Sequence, residues 1–329
     1  MHDRLDLPFV GLVSFLRSPT ASNLAELDAD IAVLGFPTDE GSGWLPGARF
    51  GPRRLRELSM RFTGGAPTAQ PGFWDIDSRH RYLDYELANH RIVDCGDVDV
   101  IYTRPDKSWD NATAAVTQIL ARGALPVILG GDHGISYAIA RAFTERLTVV
   151  HFDAHVDYQP FVHGVVHSHG NPMRMITTLD HVDRILQVGI RSFRTHEEDA
   201  ADSIRDGNQI LTVRGFRDLG PEGLAAMLPA GGPLYVSIDV DVLDPAVVPG
   251  ASTPEPSGLT YDELRDALAA LAIRADVVGF DLVEVNPMLD SPTQLTSFVG
   301  VQLIVEFLGR IVEQPGYRAR HPFRTTGAP

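Results

Sequence analysis

Short runs of consecutive apolar residues alternate with helical stretches along most of the chain. Seven runs have the length of strands: Ile31–Phe36, Arg91–Cys95, Leu125–Leu129, Leu147–Phe152, Ile185–Val188, Leu234–Ile238 and Asp276–Leu282. Most are continuously apolar rather than alternating, which is typical of parallel strands covered on both faces. Five helices are predicted between them: Pro52–Phe62, Ser108–Ala121, Gly134–Thr144, Thr260–Ile273 and Gln294–Val312. This order predicts an α/β fold with three layers, in which helices cover both faces of a central, mainly parallel sheet.

The chain has no repeat of fixed period and no low-complexity linker, since its prolines and glycines are spread among the turns. We therefore expect one domain spanning residues 1–329. In a fold of this kind, the loops that follow the carboxyl ends of the strands are the expected place for chemistry.

Composition excludes several classes of protein. The 329 residues include 28 basic and 43 acidic side chains, for a net charge of -15. This acidic balance argues against a nucleic-acid partner or an anionic membrane surface. Lys107 is the only lysine, and its context fits neither a pyridoxal-phosphate Schiff base nor a phosphate-binding loop.

The single cysteine and the hydropathy pattern give expectations for the cellular location of the protein. Cys95 lies in an apolar run, which predicts a buried thiol and excludes an intrachain disulfide. No uninterrupted apolar run approaches the roughly 18 residues of a membrane span, and the start of the chain lacks the pattern of a signal peptide. We expect a cytoplasmic enzyme with no membrane partner.

Three segments at predicted strand ends are rich in aspartate and histidine. They are Gly130-Gly-Asp-His133, Phe152-Asp-Ala-His-Val-Asp157 and Ser237-Ile-Asp-Val-Asp241. Residues two apart in an extended segment face the same side. Asp153, His155 and Asp157 can therefore converge, as can Asp239 and Asp241.

With His133, this set comprises four carboxylates and two imidazoles. Crowded carboxylates repel one another unless cations balance them, and two divalent ions would do so. Carboxylate and imidazole ligands without thiolate suit Mn²⁺, and less specifically Fe, Ni, Co or Zn. A pair of such ions activates a shared water near neutral pH. The sequence therefore predicts metal-assisted hydrolysis.

Each segment also has a purely structural interpretation. Gly-Gly-Asp is common in turns that precede helices, and aspartates at strand ends often cap or turn the chain. A histidine beside an aspartate is often only its hydrogen-bonding partner. The occurrence of all three segments, each after an apolar strand, favours the metal site.

The motifs together resemble those of the ureohydrolase family of arginases and agmatinases, and the resemblance spans most of the chain. Besides the three segments above, it includes Gly47-Ala-Arg-Phe-Gly-Pro52, Thr253-Pro-Glu-Pro-Ser-Gly-Leu-Thr260 and Glu284-Val-Asn-Pro287. The Thr-Pro-Glu-Pro stretch resembles the agmatinase and guanidino-acid branch more than arginase. The resemblance implies the arginase-like three-layer α/β/α fold, two Mn²⁺ ions in each subunit and a homotrimer or homohexamer.

The resemblance also implies roles for individual residues. One ion would be held by His133, Asp153, Asp157 and Asp239, and the other by Asp153, His155, Asp239 and Asp241. Asp157 would also orient the bridging hydroxide. Glu284 would bind the guanidinium group, with Thr253 nearby, and His169 would handle the proton.

Several positions depart from the family pattern and concern the part of the substrate beyond the guanidinium, here called the tail. Leu45 stands where many relatives carry arginine, and Tyr158 to Ser168 contains no lysine or arginine. Trp44, Leu45 and Tyr158 would offer the tail apolar and cation–π contact. This predicts better use of short or weakly polar guanidines than of guanidino acids. His163 and His167 could be additional metal ligands, but loop histidines are favoured.

The leading hypothesis is hydrolysis of a guanidino compound (agmatine, a guanidino acid or a small alkylguanidine) to urea and an amine. Alternatives are hydrolysis of formimidoyl-glutamate or another amidine in the same fold, and a non-catalytic partner subunit. The sequence does not choose between Mn²⁺ and Ni²⁺.

Overall fold

The computed structural model describes residues 10–63 and 70–323, whose main feature is one sheet of eight parallel strands. Its strands are β1 (Ile31–Phe36), β4 (Ile92–Asp97), β5 (Leu125–Gly130), β6 (Leu147–Phe152), β7 (Val182–Ile190), β8 (Gln209–Thr212), β9 (Pro233–Asp239) and β10 (Asp276–Val283). Two further strands, β2 (Phe73–Asp75) and β3 (His80–Tyr82), form a separate antiparallel pair. The strand order in the large sheet is β4-β1-β5-β10-β9-β6-β7-β8.

Helices cover both faces of this sheet. They are α1 (Gly51–Ser59), α2 (Asp84–Ala88), α3 (Pro105–Ala121), α4 (Ile135–Ala140), α5 (Pro172–Thr177), α6 (Glu197–Arg205), α7 (Val213–Ala226), α8 (Tyr261–Arg274), α9 (Leu295–Val312) and α10 (Pro315–Arg320). Short 3-10 helices occur at Phe15–Arg17, Leu24–Glu26, Ala48–Phe50, Val162–Gly164 and Val240–Val242. Helices α1, α7, α8 and α9 pack over one core, and α3, α4 and α5 pack over the other. The predicted three-layer α/β/α fold is confirmed.

The seven predicted strands and five predicted helices all exist; Ile31–Phe36 and Leu147–Phe152 have the predicted ends, and the other elements differ at one or both ends. The helix expected over Gly134–Thr144 covers only Ile135–Ala140, whereas α3 starts earlier, at Pro105. The sequence pattern missed β8, which is a short, partly exposed edge strand, and α7, which is interrupted at Gly220 and Pro221. Such features weaken the hydrophobic periodicity on which the prediction depends.

Helix α9 is the one helix of the described chain that is long and apolar enough to cross a membrane, judged by length and composition alone. Its 18 residues have a mean hydropathy of 1.6, and 72% of them are buried inside the fold. The sequence analysis predicted this helix but did not count it as an apolar run of that length, because Glu306 and Arg310 interrupt it. In the structure α9 packs against α1 and α8, as a core helix does.

The order of the central strands decides where the aspartate-rich segments lie. The chain passes from β5 to β6, runs outward to β8 and returns through β9 and β10. Leu129, Leu282, Ile238 and Phe152 consequently form one row across β5, β10, β9 and β6. The residues that follow this row leave the sheet at one level, so segments far apart in sequence meet above four adjacent strands.

A buried ion cluster joins α1 to the end of β4. The Arg56 guanidinium donates from Nε to Asp94 Oδ2 at 2.8 Å and from Nη1 to Asp97 Oδ1 at 2.7 Å. Asp94 Oδ2 also accepts the backbone N–H of Phe15 at 2.8 Å. Because the side chains of Arg56 and Asp94 are almost fully buried, neither charge can be hydrated if the other is removed.

Replacing Arg56 by methionine should therefore strongly destabilise the fold. Arg56→Met leaves the Asp94 carboxylate buried without its cation, which typically costs about 3–5 kcal/mol of unfolding free energy. Arg53→Met on the same helix is the control, since Arg53 is 83% exposed and, among the described residues, forms an ion pair only with Glu57. We expect it to cost less than about 1 kcal/mol. Urea unfolding measures both variants, and similar losses would contradict the assignment.

Candidate metal centre and substrate cavity

Two glycines and a short helix bring His133 to the end of β5. Gly131 fits where it does because a Cβ at this position would overlap the carbonyl oxygen of Thr38. The backbone N–H of Gly134 donates to Asp132 Oδ1 at 3.0 Å, which shapes the turn into α4. The His133 side chain is buried at the carboxyl end of β5, a central strand of the sheet.

The imidazole of His133 faces three carboxylates with one nitrogen. Its Nδ1 lies 2.9 Å from Asp153 Oδ2, 3.1 Å from Asp157 Oδ2 and 3.2 Å from Asp239 Oδ2. Nδ1 is buried and makes no hydrogen bond of acceptable geometry. Ligand atoms at right angles, each about 2.1 Å from one metal ion, are about 3.0 Å apart. The spacing and the unsatisfied nitrogen fit a metal ligand set.

A second set is centred on His155. Its Nδ1 lies 3.2 Å from Asp153 Oδ1 and 3.1 Å from Asp241 Oδ2, so the Asp153 carboxylate faces both histidines. Asp239 belongs to the same cluster, because its Oδ1 accepts the backbone N–H of Asp241 at 2.8 Å. The structure therefore brings together all six predicted metal ligands.

Burial of these carboxylates creates an electrostatic problem that cations solve. Burial and the charges of Asp241 and Asp153 raise the pKa of Asp239 well above its ordinary value. Burial and Asp153 likewise raise the pKa of Asp241. The pKa of Asp153 is shifted down despite its burial, because it faces His151, His133 and His155. The cluster is thus short of positive charge, as expected for residues that bind divalent ions.

His151 is a member of the cluster that the sequence analysis missed. It is fully buried, and its Nε2 lies 2.8 Å from Asp153 Oδ2. Its Nδ1 is 3.3 Å from Gln187 Nε2, and Gln187 Oε1 accepts the Ser203 hydroxyl at 2.6 Å. His151 precedes Asp153 by two residues, so the period of the strand could have revealed it.

Glu284 directly follows β10 and lies next to the clustered aspartates and histidines, with its backbone in the left-handed region. Its φ of 62° and the φ of 47° at Asp157 are unusual for residues other than glycine, and both side chains line the cavity. Glu284 Oε1 accepts the backbone N–H of His133 at 2.9 Å and lies 3.5 Å from His169 Nδ1. Its Oε2 is buried with no hydrogen-bonding partner.

Glu284 and His169 stabilise each other's charged forms. Burial alone would raise the pKa of Glu284, but His169 and the His133 backbone N–H outweigh it and lower the pKa. Burial alone would lower the pKa of His169, but Glu284, with Asp157 and Asp132, raises it to about 9. A carboxylate with one unsatisfied oxygen therefore lies beside an imidazolium.

The cluster forms the floor of a cavity of about 230 Å³. The residues that line it include Trp44, His133, His155, Asp157, Gln159, His169, Ser192, Arg194, Thr195, Asp199, Asp239, Thr253 and Glu284. Thr253 also donates its hydroxyl to Asp241 Oδ2 at 3.2 Å. This volume suits a small polar molecule.

Arg191 holds one wall of the cavity in place. Its guanidinium donates to the carbonyl oxygens of Asp241 at 2.7 Å, Glu255 at 2.8 Å and Pro256 at 3.0 Å. These bonds tie the loop that carries Thr253 to the loop that carries Asp241. Arg191 directly follows β7, so its hydrogen bonds anchor these loop segments to the end of that strand.

The structure does not bring two of the predicted tail residues to the cavity. Tyr158 is fully buried, its hydroxyl donates to Asp206 Oδ2 at 2.8 Å, and Arg174 covers its ring. Leu45 is not among the lining residues, although Trp44 is. The side chain of Tyr158 faces the core, so the structure does not support its predicted contact with the substrate. The side chain of Leu45 is exposed next to Trp44, and its contact with the substrate stays a prediction.

The remaining loop histidines also lie away from the cavity lining. His163 is exposed, and the ring of His167 packs against Trp109 at 5.0 Å between ring centres. Neither belongs to the groups that could hold a metal within the described residues. His169, two residues beyond His167, is the histidine of this loop that faces Glu284.

Sequence reasoning missed Arg194, which changes the charge of the cavity mouth. Arg194 lies four residues after β7, a strand whose carboxyl end was not followed in the sequence analysis. The preference predicted for weakly polar tails assumed that no cation lies near the mouth. Because Arg194 lines the cavity, that premise is wrong.

Comparison with known proteins adds independent information. The model of the arginase family matches residues 29–309. Agmatinase of Bacillus anthracis is 33% identical over 311 residues, which cover 92% of this chain and 98% of the relative. Guanidinobutyrase of Pseudomonas aeruginosa is 33% identical over 315 residues, covering 91% and 92%. The structure of proclavaminate amidino hydrolase from Streptomyces clavuligerus matches with a TM-score of 0.81 and 30% identity, over 93% of this chain and 98% of that one.

If the cluster holds metal, removing one shared carboxylate charge should abolish tight binding. Asp153→Asn and Asp239→Asn should retain fewer than two ions after dialysis, whereas the surface control Asp183→Asn should retain the wild-type content. Because charge repulsion raises the pKa of Asp239, metal-free Asp239→Asn should melt at or above the temperature of the metal-free wild type. Added Mn²⁺ should raise the melting temperature of the wild type but not of this variant.

Elemental analysis and thermal melts measure these two effects separately. Two tightly held ions in either variant would show that the carboxylate is not a required ligand. A large fall in the melting temperature of metal-free Asp239→Asn would show that the carboxylate stabilises the fold by itself.

Proposed function

The chain belongs to the arginase family and is a ureohydrolase or amidinohydrolase, and from this premise we propose that it hydrolyses a guanidino compound to urea and an amine. The observation that carries the proposal is the unsatisfied oxygen of Glu284. Glu284 lines the cavity, and its Oε2 is buried with no hydrogen-bonding partner. A buried carboxylate oxygen without a donor is costly, and a guanidinium group would satisfy both its charge and its geometry.

The six clustered ligands fit two divalent ions. We assign His133, Asp153, Asp157 and Asp239 to one ion and Asp153, His155, Asp239 and Asp241 to the other. Both imidazoles present Nδ1 to the carboxylates, so each Nε2 is left to donate. His133 Nε2 lies 2.9 Å from Ser237 Oγ, and His155 Nε2 lies 3.5 Å from Glu255 Oε1. Such partners orient ligating histidines.

The donor set of carboxylates and imidazoles without thiolate favours Mn²⁺, with Ni²⁺ as an alternative. When bound, the ions would supply water activated for attack on the guanidinium carbon. Asp157 belongs to this cluster and also lines the cavity, which suits a residue that orients the attacking water by accepting its hydrogen.

Glu284 binds the substrate, and His169 supplies a proton. Glu284 holds the guanidinium by charge-assisted hydrogen bonds, so that its central carbon faces the metal ligands. His169, whose pKa Glu284 raises to about 9, carries a proton at neutral pH. It can donate this proton to the nitrogen of the leaving amine when the C–N bond breaks.

The proposal predicts a specific defect in Glu284→Gln. Glutamine keeps an oxygen to accept the His133 backbone N–H but loses the charge that holds the guanidinium. We expect kcat/KM for urea release to fall by about 10- to 150-fold. The measurement is urea release from a panel of guanidines by protein loaded with Mn²⁺ or Ni²⁺.

The metal content of Glu284→Gln is the internal control, because Glu284 is not a proposed ligand. Two retained ions with unchanged kcat/KM would remove Glu284 from substrate binding. Release of formamide from a formimidoyl compound, with no urea from any guanidine, would replace the proposed reaction with amidine hydrolysis. Absence of turnover on both panels would favour a non-catalytic subunit.

A matched pair of histidine variants tests the proton donor. His169→Asn should lower kcat by about 100-fold or more if the proton transfer limits turnover. His163→Asn, in the same loop but exposed and away from the cavity, should leave kcat near the wild-type value. Steady-state urea assays measure kcat for both variants. A larger fall in kcat for His163→Asn than for His169→Asn would show that His169 is not the proton donor.

A further inference from the structure

The rim of the cavity above His155 carries one permanent positive charge. Arg194 is the only lysine or arginine among the described residues that line the cavity. Its side chain is 63% exposed, so it lies between the cavity and solvent. The floor of the cavity carries carboxylates, so the positive charge of Arg194 at the rim is opposite in sign to the charge of the floor.

The loop holds the Arg194 guanidinium by one edge. Its Nε donates to Glu255 Oε1 at 3.0 Å, and Glu255 Oε1 also accepts the Ser192 hydroxyl at 2.8 Å. The backbone N–H of Arg194 donates to Ser192 Oγ at 3.2 Å. Within the described chain, no protein group accepts a hydrogen bond from Nη1. The guanidinium is therefore positioned but retains unused donors.

A second donor becomes available when His155 acts as a metal ligand. Arg194 Nη2 lies 3.0 Å from His155 Nε2, a contact that requires Nε2 to accept. If Nδ1 binds an ion, Nε2 carries the hydrogen and can only donate, for which Glu255 Oε1 at 3.5 Å is the acceptor. Two donors then face each other, and Nη2 must turn toward another acceptor.

We propose that Arg194 binds the carboxylate of the substrate's tail, so that the enzyme prefers guanidino acids. This inference rests on the proposed function, in which Glu284 binds the guanidinium at the other end. The two Nη groups of an arginine match the two oxygens of a carboxylate, which favours this tail over a neutral polar one.

Asp199 is the competing residue, since an acid in the lining would instead favour a cationic tail. Burial raises its pKa, against the charges of His196 and Arg174. Asp199 is only 6% exposed, far less than Arg194, and it lies in the first turn of α6, where the helix dipole stabilises its charge. Arg194 is therefore better placed to meet a substrate that enters from solvent.

The test uses three substrates with the same carbon chain and different tails: guanidinobutyrate, butylguanidine and agmatine. The wild type should prefer guanidinobutyrate. Arg194→Gln should lower kcat/KM for the acid by about 10- to 150-fold and leave butylguanidine within about threefold. Arg194→Glu should shift the preference toward agmatine. Arg146→Gln, a surface change of equal charge, is the control and should leave the preference unchanged.

Binding gives a readout that does not depend on turnover. Calorimetric titration of metal-free protein with guanidinobutyrate should show weaker binding to Arg194→Gln than to the wild type, whereas butylguanidine should bind both equally. Equal losses for all three substrates in Arg194→Gln would overturn the proposal, because they indicate a structural role. A wild-type preference for agmatine that Asp199→Asn removes would also overturn it.

The outcomes separate this inference from the proposed function. If the metal-loaded wild type releases urea from butylguanidine and agmatine without preferring the acid, the hydrolase assignment stands and the Arg194 subsite fails. If no guanidine yields urea but guanidinobutyrate binds through Arg194, the proposed reaction fails and the subsite stands.

Discussion

Mutual repulsion among buried carboxylates is the constraint on which the site depends. Asp153, Asp239 and Asp241 are almost fully buried and converge within one cluster, where burial and neighbouring charges raise the pKa values of Asp239 and Asp241. Hydrophobic packing around them cannot remove this cost. Three histidines, His133, His151 and His155, offer partial compensation, and the geometry of the cluster has room for more positive charge. The fold therefore retains an arrangement that is unfavourable by itself and becomes favourable with bound cations.

The surrounding structure converts this cluster into a directed site. His151 and Gln187 support Asp153 from behind, while Arg191, just after β7, ties together two parts of the connection between β9 and α8. Glu284 and His169 complete the other side of the cavity. These groups act through hydrogen bonds to ligands or to the backbone, so they fix directions that the sheet alone leaves open.

In the proposed function, recognition of the two ends of a small substrate is divided between two residues of the cavity. Glu284 offers an unsatisfied carboxylate oxygen near the metal ligands, and Arg194 offers unused donors at the exposed rim. A charged group at each end selects a molecule by length as well as by chemistry. The proposal implies that few substrates are tolerated, since a missing partner leaves a charge without compensation.

The sequence by itself determined the α/β class, the existence of the main strands and the identity of the six clustered aspartates and histidines. Continuous apolar runs report strands buried on both faces, and aspartates two residues apart at strand ends report convergence. These signals are local. Glu284, His169 and Thr253 came from resemblance to a family and not from periodicity, because their roles depend on contacts with distant segments.

Only the tertiary structure decided which segments meet and which side chains face the cavity. Strand order brings β5, β10, β9 and β6 side by side, although the chain visits them in another order. Tyr158 directly follows Asp157 of the clustered residues but turns into the core, and Arg194 follows β7, a predicted strand with no recognised motif at its end, but reaches the rim. Side-chain direction in loops depends on backbone dihedrals and distant partners, which no local pattern of apolar residues encodes.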